Sequence, residues 1–397
     1  MSVSNLKFEV LFKPTTMSLH MNRSHPSIKR NKIWLLQFIS LMTLTVFCAT
    51  GLITSLLFHD LKFGKYMEAS KNGTIAMLSF TTTFKYSLLL YLQKSLNRLI
   101  AKIDMDYEIA KGLTPQEKAI VLNYAKKGVI VSKFWLFTAF AITFCFPLKA
   151  FIIMGYRFFI KNEFRLEPMF DMTYPEPIES YKTSFPVYFI LFVVFFLFGC
   201  YASSLFVAFD PLVPIFVLHA CGQLDLLSLR ITKLFSDTKN PRIIAKELKV
   251  IISKLQELYG FVNFIKVNFS ILYEYNMKIT TISMPLSAFQ VVESLRRGEF
   301  NIEFTYFFFG CILHFFMPCY YSNLLMERSE NFRFAIYSCG WENHNDKNIR
   351  QMLLFMLTRA TEPLGIATVF TNISLDTFAE MCRQSYTIFN LMNAAWA

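Results

Sequence analysis

Five polar residues near the end of the chain have a spacing that could act on a solute. Asp376, Glu380, Arg383, Thr387 and Asn390 are separated by four, three, four and three residues, which keeps them on one stripe of a helix. Their neighbours are apolar or aromatic: Leu375, Phe378, Ala379, Met381, Cys382, Tyr386, Ile388 and Phe389. In a membrane such a helix must turn its stripe to a protein partner or to water. Beyond Asn390 come Leu391, Met392, Asn393, Ala394 and Ala395, so the stripe loses polarity toward that end. A water-lined path with an apolar constriction has this pattern, and so does a helix packed polar side inward.

Other chemistry is sparse. His20, His25, His59, His219, His314 and His344 never pair at helical or finger spacing, so no metal site is expected. There is no Gly-rich phosphate loop, no Gly-x-Ser-x-Gly and no cofactor motif. Asp104-Met105-Asp106 is the nearest approach to a carboxylate pair, and it reads as a solvated face of a charged segment. An enzyme is not expected.

The elements that carry the stripe are membrane spans. About 20 apolar residues cross a bilayer as helix, because in hydrocarbon every backbone polar group must be satisfied internally. Seven stretches qualify: Ile33–Phe58, Thr74–Leu92, Phe134–Met154, Phe185–Phe209, Tyr273–Phe289, Phe304–Leu325 and Ser374–Ala395. The expected fold class is all-α: one polytopic membrane domain over 1–397, with a tail at 1–32 and no linker or internal repeat.

Basic residues sort between the loops. Segments 1–32, 93–133, 210–272 and 326–373 hold 27 Lys or Arg, whereas 59–73, 155–184 and 290–303 hold 9. Cytoplasmic loops keep the Lys/Arg excess, so the N terminus is predicted inside and the C terminus outside. The net charge of +12 then faces anionic membrane lipid and calls for no nucleic acid. The first 32 residues are too polar for a signal peptide core, so the first span is expected to stay.

Polar features within this frame have modest readings. The eight cysteines avoid the predicted external loops, so no external disulfide is expected. Asn72-Gly73-Thr74 is a glycosylation sequon in the first external loop. Lys85 and Lys149 lie within spans and are expected to reach an interface by extending their stems. Glu274 and Lys278 are spaced to pair on one helix face.

Segment 210–272 is too long for a loop and is periodic. Leu224, Leu227, Ile231 and Leu234, then Leu248, Ile251, Ile252, Leu255 and Leu258, recur at three and four, the mark of amphipathic helices. Their apolar faces need partners, and a multi-subunit interface is the expected source.

A small apolar ligand needs a mostly apolar cavity with a few orienting polar groups. The outer halves of the spans offer Met77, Phe80, Thr81 and Phe84, then Phe146, Ala150 and Met154. They also offer Tyr188, Leu191 and Phe195, with Phe307, Phe308 and Cys311 on the sixth span. None of these is acidic, which disfavours an amine ligand.

Segment 321–391 resembles the C-terminal signature of the insect odorant receptors. Ser329, Phe334-Ala335-Ile336-Tyr337 and Trp341 are similar to that family's spacing after the sixth span. Arg350 to Leu364 has its basic residue, apolar run, Arg and Pro-Leu. Ile373-Ser374-Leu375-Asp376-Thr377-Phe378 and Ser385-Tyr386-Thr387-Ile388-Phe389-Asn390-Leu391 are similar to its last elements. His219, Gln223, Leu224 and Leu227 look like a further element. The chain departs from the pattern at Ile388 and Asn393. It lacks the Gln-Phe ending of the related gustatory receptors, which is the alternative within the same channel class.

The resemblance implies an odorant-gated cation channel subunit with no cofactor. It implies a shared co-receptor, a heterotetramer around one pore, and residence in the plasma membrane of olfactory sensory neurons. Asp376, Glu380, Arg383, Thr387, Asn390, Leu391 and Ala394 would then line the pore within 374–395. Segments 210–272 and 326–373 would form a cytoplasmic anchor, and a small volatile organic molecule would occupy the outer bundle. A G-protein-coupled receptor would want the opposite orientation and an Asp-Arg-Tyr-like triplet. A secondary transporter would want matching broken halves. The chain shows neither.

Overall fold

The computed structural model describes residues 6–298 and 300–396. Met1 and Ala397, the ends to which the charge bias assigns opposite sides, lie outside the described residues. Among those described the chain is helical, apart from an isolated bridge between Ala367 and Asn372.

A short hairpin, α1 (Phe8–Leu11) and α2 (Lys13–Met21), precedes the first long helix. Helix α3 (Lys32–Thr54) begins at Asn31, whose side chain accepts from the Trp34 N–H, and runs into a wide turn over Ser55–Asp60. Helix α4 (Tyr66–Tyr91) bends by 67° into α5 (Gln93–Ala110). A capping box between Thr114 and Glu117 starts α6 (Pro115–Lys161). The short α7 (Ile178–Tyr181) leads to α8 (Phe185–Phe209), and Pro211 sets α9 (Leu212–Asp237) apart from it. Then follow α10 (Pro241–Arg296), α11 (Ile302–Tyr337), α12 (Lys347–Arg359) and α13 (Leu375–Trp396).

The seven predicted spans fall on helices to within one residue at their ends, the first continuing into the wide turn after α3. Four helical stretches are long and apolar enough by themselves to cross a membrane: α3 with its wide turn, α6, α8–α9 and α11; the bent α4–α5 pair makes a fifth. Helices α10 and α13 fall short of that mark because one buries polar side chains and the other carries the polar stripe.

Several expectations are corrected. Segment 93–133 is α5 and the start of α6 rather than a loop. The basic tail is packed: Leu6, Phe8, Phe12 and Leu19 are buried in the main core. Lys85 does not extend to an interface. It is wholly buried and paired with Asp210, 125 residues away. Lys149 pairs with Glu303. Glu274 and Lys278 do pair, at 3.0 Å.

The periodic face of α10 is also reassigned. Leu248, Ile251, Leu255 and Leu258 are buried within the chain, so this face has intramolecular partners. Ile252 is half-buried against the same core. Large apolar side chains left exposed include Phe334 and Tyr337 on α11 and Leu354 and Phe355 on α12, with Ile243 and Val250 on another face of α10.

The buried residues form two clusters. The larger gathers the hairpin, α5, α9 and the start of α10 at one end of the bundle. The smaller, at the opposite end, joins Cys48, Leu52, Ile75, Phe195, Phe198, Phe304 and Phe307 to Phe170, Met172 and Tyr174. Those last three come from the connection after α6. That connection folds back so closely that a Cβ on Gly51 would meet Met172 Cε at 2.7 Å.

A candidate ligand cavity and an outward polar stripe

Between the two clusters lies a cavity of about 140 Å³. Helix α6 contributes a full stripe to its wall: Trp135, Thr138, Ala139, Ile142, Thr143 and Phe146, the three-and-four spacing of one helix face. Gly199, Ala202, Ser203 and Phe206 come from α8. Leu78 and Thr81 come from α4, and Ile279, Thr280 and Ser283 from α10. Phe307, Gly310, Cys311 and His314 come from α11, and Met169 from the folded-back connection. The small residues make the space, since a side chain at Gly199 or Ala202 larger than those present would occupy it. A dry cavity of about 150 Å³ holds a benzene-sized guest, so the volume suits a small organic molecule.

The wall hydroxyls are mostly satisfied along their own helices. Thr81 donates to the Met77 carbonyl at 2.9 Å, Thr138 to Phe134 at 3.0 Å and Thr143 to Ala139 at 2.8 Å. They therefore present methyl groups more than donors to a guest.

The polar end of the cavity is His314. Its Nε2 is 2.8 Å from Lys85 Nζ and 3.6 Å from Asp210 Oδ2. The Lys85 ammonium sits 3.8 Å from the centre of the Phe206 ring, which also lines the cavity. An ammonium only donates, so Nε2 accepts and the ring proton is assigned to Nδ1. Among the described residues that N–H meets only Thr280 Oγ1, at a long 3.5 Å. Trp135 Nε1, buried in the same wall, has no hydrogen-bond partner among the described residues. An unpaired buried donor costs roughly 1–3 kcal/mol, so the cavity is better served by a guest carrying an acceptor.

Three of the twelve expected contact residues line this cavity, namely Thr81, Phe146 and Phe307, together with Cys311. The others do not. Phe80 is 49% exposed. Met77 and Phe84 are half-buried, with Phe84 stacked on Tyr275. Ala150 is buried in helix packing. Tyr188 donates to the Glu167 carbonyl at 2.9 Å and contacts Met154 Sδ. With Leu191 and Phe195 it borders a separate, more polar hollow. Phe308 packs on Phe309. The expectation favoured large aromatics, which fill space. The signal that finds the cavity is the run of small and hydroxyl residues at helical spacing on α6 and α8.

Helix α13 packs on α10 and α11 through Met381 and Ser385. Ser385 donates to the Thr281 carbonyl at 3.3 Å. Asp376, Glu380, Arg383, Thr387, Asn390, Leu391 and Ala394 all lie on the exposed side. Glu380 and Arg383 pair with each other at 3.1 Å, and Thr387 bonds to its own helix. The stripe thus has no partner from the rest of the chain among the described residues.

Two further expectations are corrected. Asn72 is buried within α4, with Nδ2 donating to Asp60 Oδ2 at 2.6 Å and Ser55 Oγ at 3.1 Å, so the folded chain has no room for a glycan there. The histidines do gather once: Glu9, His20 and His25 meet at the N-terminal hairpin.

A family model described as "7tm Odorant receptor" matches residues 65–386. Odorant receptor 13a of Drosophila melanogaster is 25% identical over 213 residues, 50% of this chain and 50% of that protein. Odorant receptor 19a of the same fly is 36% identical over 76 residues, 19% of each chain. The chain thus spans about half the length, or less, of these curated relatives. The insect olfactory receptor OR5 from Machilis hrabei, solved in complex with eugenol, superposes with a TM-score of 0.74 at 16% identity, covering 98% of each chain. Without eugenol the same receptor gives 0.72 at 15% identity, over 97% of this chain and 96% of that one. The fold is the polytopic membrane fold of that receptor, and the chain belongs to the odorant receptor family.

Proposed function

We propose that this chain is the odorant-binding subunit of a ligand-gated, non-selective cation channel. A small neutral volatile molecule occupies the cavity between α4, α6, α8, α10 and α11. Its acceptor meets the His314 Nδ1–H or the Trp135 N–H. The observation that carries this reading is the mostly apolar cavity among five helices, ending in the Lys85–Asp210–His314 cluster. The eugenol-bound relative with the same fold supports a small-molecule ligand.

The outward stripe of α13 supports the channel half of the reading. Polar side chains on a membrane helix must meet protein or water, and a single chain supplies neither to them. Several copies around an axis would. We place the N terminus in the cytoplasm and the pore along Asp376 to Ala394, with Leu391 at the outer constriction. The assembly is a heterotetramer with a shared co-receptor, in the plasma membrane of olfactory sensory neurons.

The deciding experiment is expression with and without a co-receptor, followed by current recording against an odorant panel. Odorant-evoked currents with a cation reversal potential are expected. A response carried only by slow second messengers would sink the channel reading. Epitope tags at the two ends, probed on intact cells, test the orientation. An accessible N-terminal tag beside a hidden C-terminal one would reverse it.

A further inference from the structure

We propose that Glu9, His20 and His25 form a zinc site that clasps the N-terminal hairpin to the same end of the first two spans. One ligand atom from each residue lies within 4.8 Å of the other two. The His25 Nε2 to Glu9 Oε1 distance is 3.6 Å. Tetrahedral zinc with ligands at about 2.0–2.2 Å needs donor atoms roughly 3.4 Å apart. The Glu9–His25 edge is therefore near its liganded length. His20 is exposed, so no packing holds its ring in place.

A second observation points to a ligand. His25 is 4% exposed, yet its Nε2 has no hydrogen-bond partner among the described residues and faces the carboxylate of Glu9. Its other nitrogen is already oriented. Nδ1 accepts from the Ser27 N–H at 3.3 Å and lies 2.8 Å from Ser27 Oγ; when Nε2 ligates a metal, Nδ1 carries the ring proton and donates to Ser27 Oγ instead. The backbone fixes the ring as well. The Ser24 and His25 N–H groups both donate to the Leu19 carbonyl, at 2.9 and 3.1 Å, and close the end of α2. The His20 and His25 rings stack 4.1 Å apart at 17°, so the two imidazoles are neighbours, and the exposed His20 ring must turn out of the stack for both to meet one ion.

Two imidazoles and one carboxylate suit zinc, whereas magnesium and calcium prefer all-oxygen cages. Three protein ligands leave a fourth position for water on the exposed side of His20. The turn that carries His25 is tied elsewhere too. Trp34 Nε1 donates to the Arg23 carbonyl at 3.1 Å, Gln37 to Met21 at 2.7 Å, and Gln93 to the His25 carbonyl at 3.2 Å. An ion here would lock α1 to the starts of α3 and α5.

The test uses the full chain purified in lipid nanodiscs and titrated with Co²⁺ as a spectroscopic stand-in, then with Zn²⁺ in competition. The expected result is one tetrahedral Co²⁺ spectrum per chain, displaced by Zn²⁺. Glu9→Gln and His20→Gln should each weaken binding by more than about 100-fold, since even outer-shell partners are worth 10–100-fold. Both residues are exposed, so neither change threatens the fold; His25→Gln is the third variant. Zn²⁺ should raise the melting temperature of the parent chain and leave the variants unmoved. Absence of a saturable spectrum, or affinity unchanged in Glu9→Gln and His20→Gln, overturns the site.

Discussion

The two ends of the bundle are built differently. At the end holding the hairpin, α5, α9 and the start of α10, Phe8, Phe12, Leu96, Ile103, Phe216, Leu224 and Ile231 are almost wholly buried in one continuous core. At the other end a much smaller cluster is capped by a folded-back connection, and beneath it lies the cavity. Packed cores deform in discrete steps, whereas a region with free volume and few contacts adapts at low cost. One end is thus suited to stay rigid and the other to admit a guest. The Lys85–Asp210–His314 cluster sits at the boundary: Trp135 and Phe206, which pack against it, belong to the large core or pack on it and also line the cavity.

That boundary carries the largest expected effect. Lys85→Met leaves Asp210 buried and unpaired, and breaking a buried pair from one side costs about 3–5 kcal/mol. Loss of surface expression and of detergent thermal stability should follow. Lys85→Met combined with Asp210→Leu should recover much of it. A single variant as stable as the parent would show that the two ends are not joined through this pair.

Next come the cores themselves. Phe216→Ala in the large cluster should cost about 3–5 kcal/mol and leave odorant selectivity unchanged. Phe307→Ala beside the cavity should cost less, because it extends space that already exists, and should admit bulkier odorants. Gly199→Leu fills the cavity, and its Cβ has room, 3.7 Å from Thr143 Cγ2. It should abolish the response with normal surface expression. Equal stability losses at Phe216 and Phe307 would erase the distinction between rigid and adaptable ends.

A smaller effect is expected within the cavity. His314→Gln keeps a donor and an acceptor, whereas His314→Leu keeps neither. One hydrogen bond is worth about 0.5–1.5 kcal/mol net, so His314→Leu should erase about a two- to tenfold preference for a ketone over its hydrocarbon isostere. Dose–response curves for the paired ligands measure it. On α13, Leu391→Ser should raise resting current by easing wetting, and Asn390→Ala should shift selectivity among cations. If both move only ligand sensitivity, the stripe is not the conducting surface.

The smallest effect is at the packed end. Burial raises the pKa of Asp106, but His219 at 3.0 Å and Lys102 at 3.1 Å outweigh it and hold the carboxyl below its usual range. A lowered carboxyl stabilises above the ordinary carboxylate range and loses that contribution as pH falls through its folded value. Melting temperature should therefore decline on acidification below about pH 4 less steeply in Asp106→Asn than in the parent.

Local chemistry made much of this legible. Apolar length marked seven helices, Lys/Arg bias predicted their direction, and the four-three spacing from Asp376 to Asn390 placed five polar residues on one face of α13. Each of these depends on residues within a few turns of one another. The outward aim of that stripe was undecided, because a helix pattern does not say which face its neighbours cover; Met381 and Ser385 decide it by packing on α10 and α11.

Pairing across long separations belonged to the tertiary structure alone. Lys85 reads as a snorkelling lysine until folding brings Asp210 and His314 to it from 125 and 229 residues away. Asn72 reads as a glycan acceptor until the wide turn at Ser55–Asp60 closes on its amide. His20 and His25 have no metal spacing until the end of α2 turns one ring over the other and α1 presents Glu9. The cavity is the clearest case. A void is set by what neighbouring helices fail to fill, so its walls are the small residues on facing helices, and which helices face one another is decided only when the bundle closes.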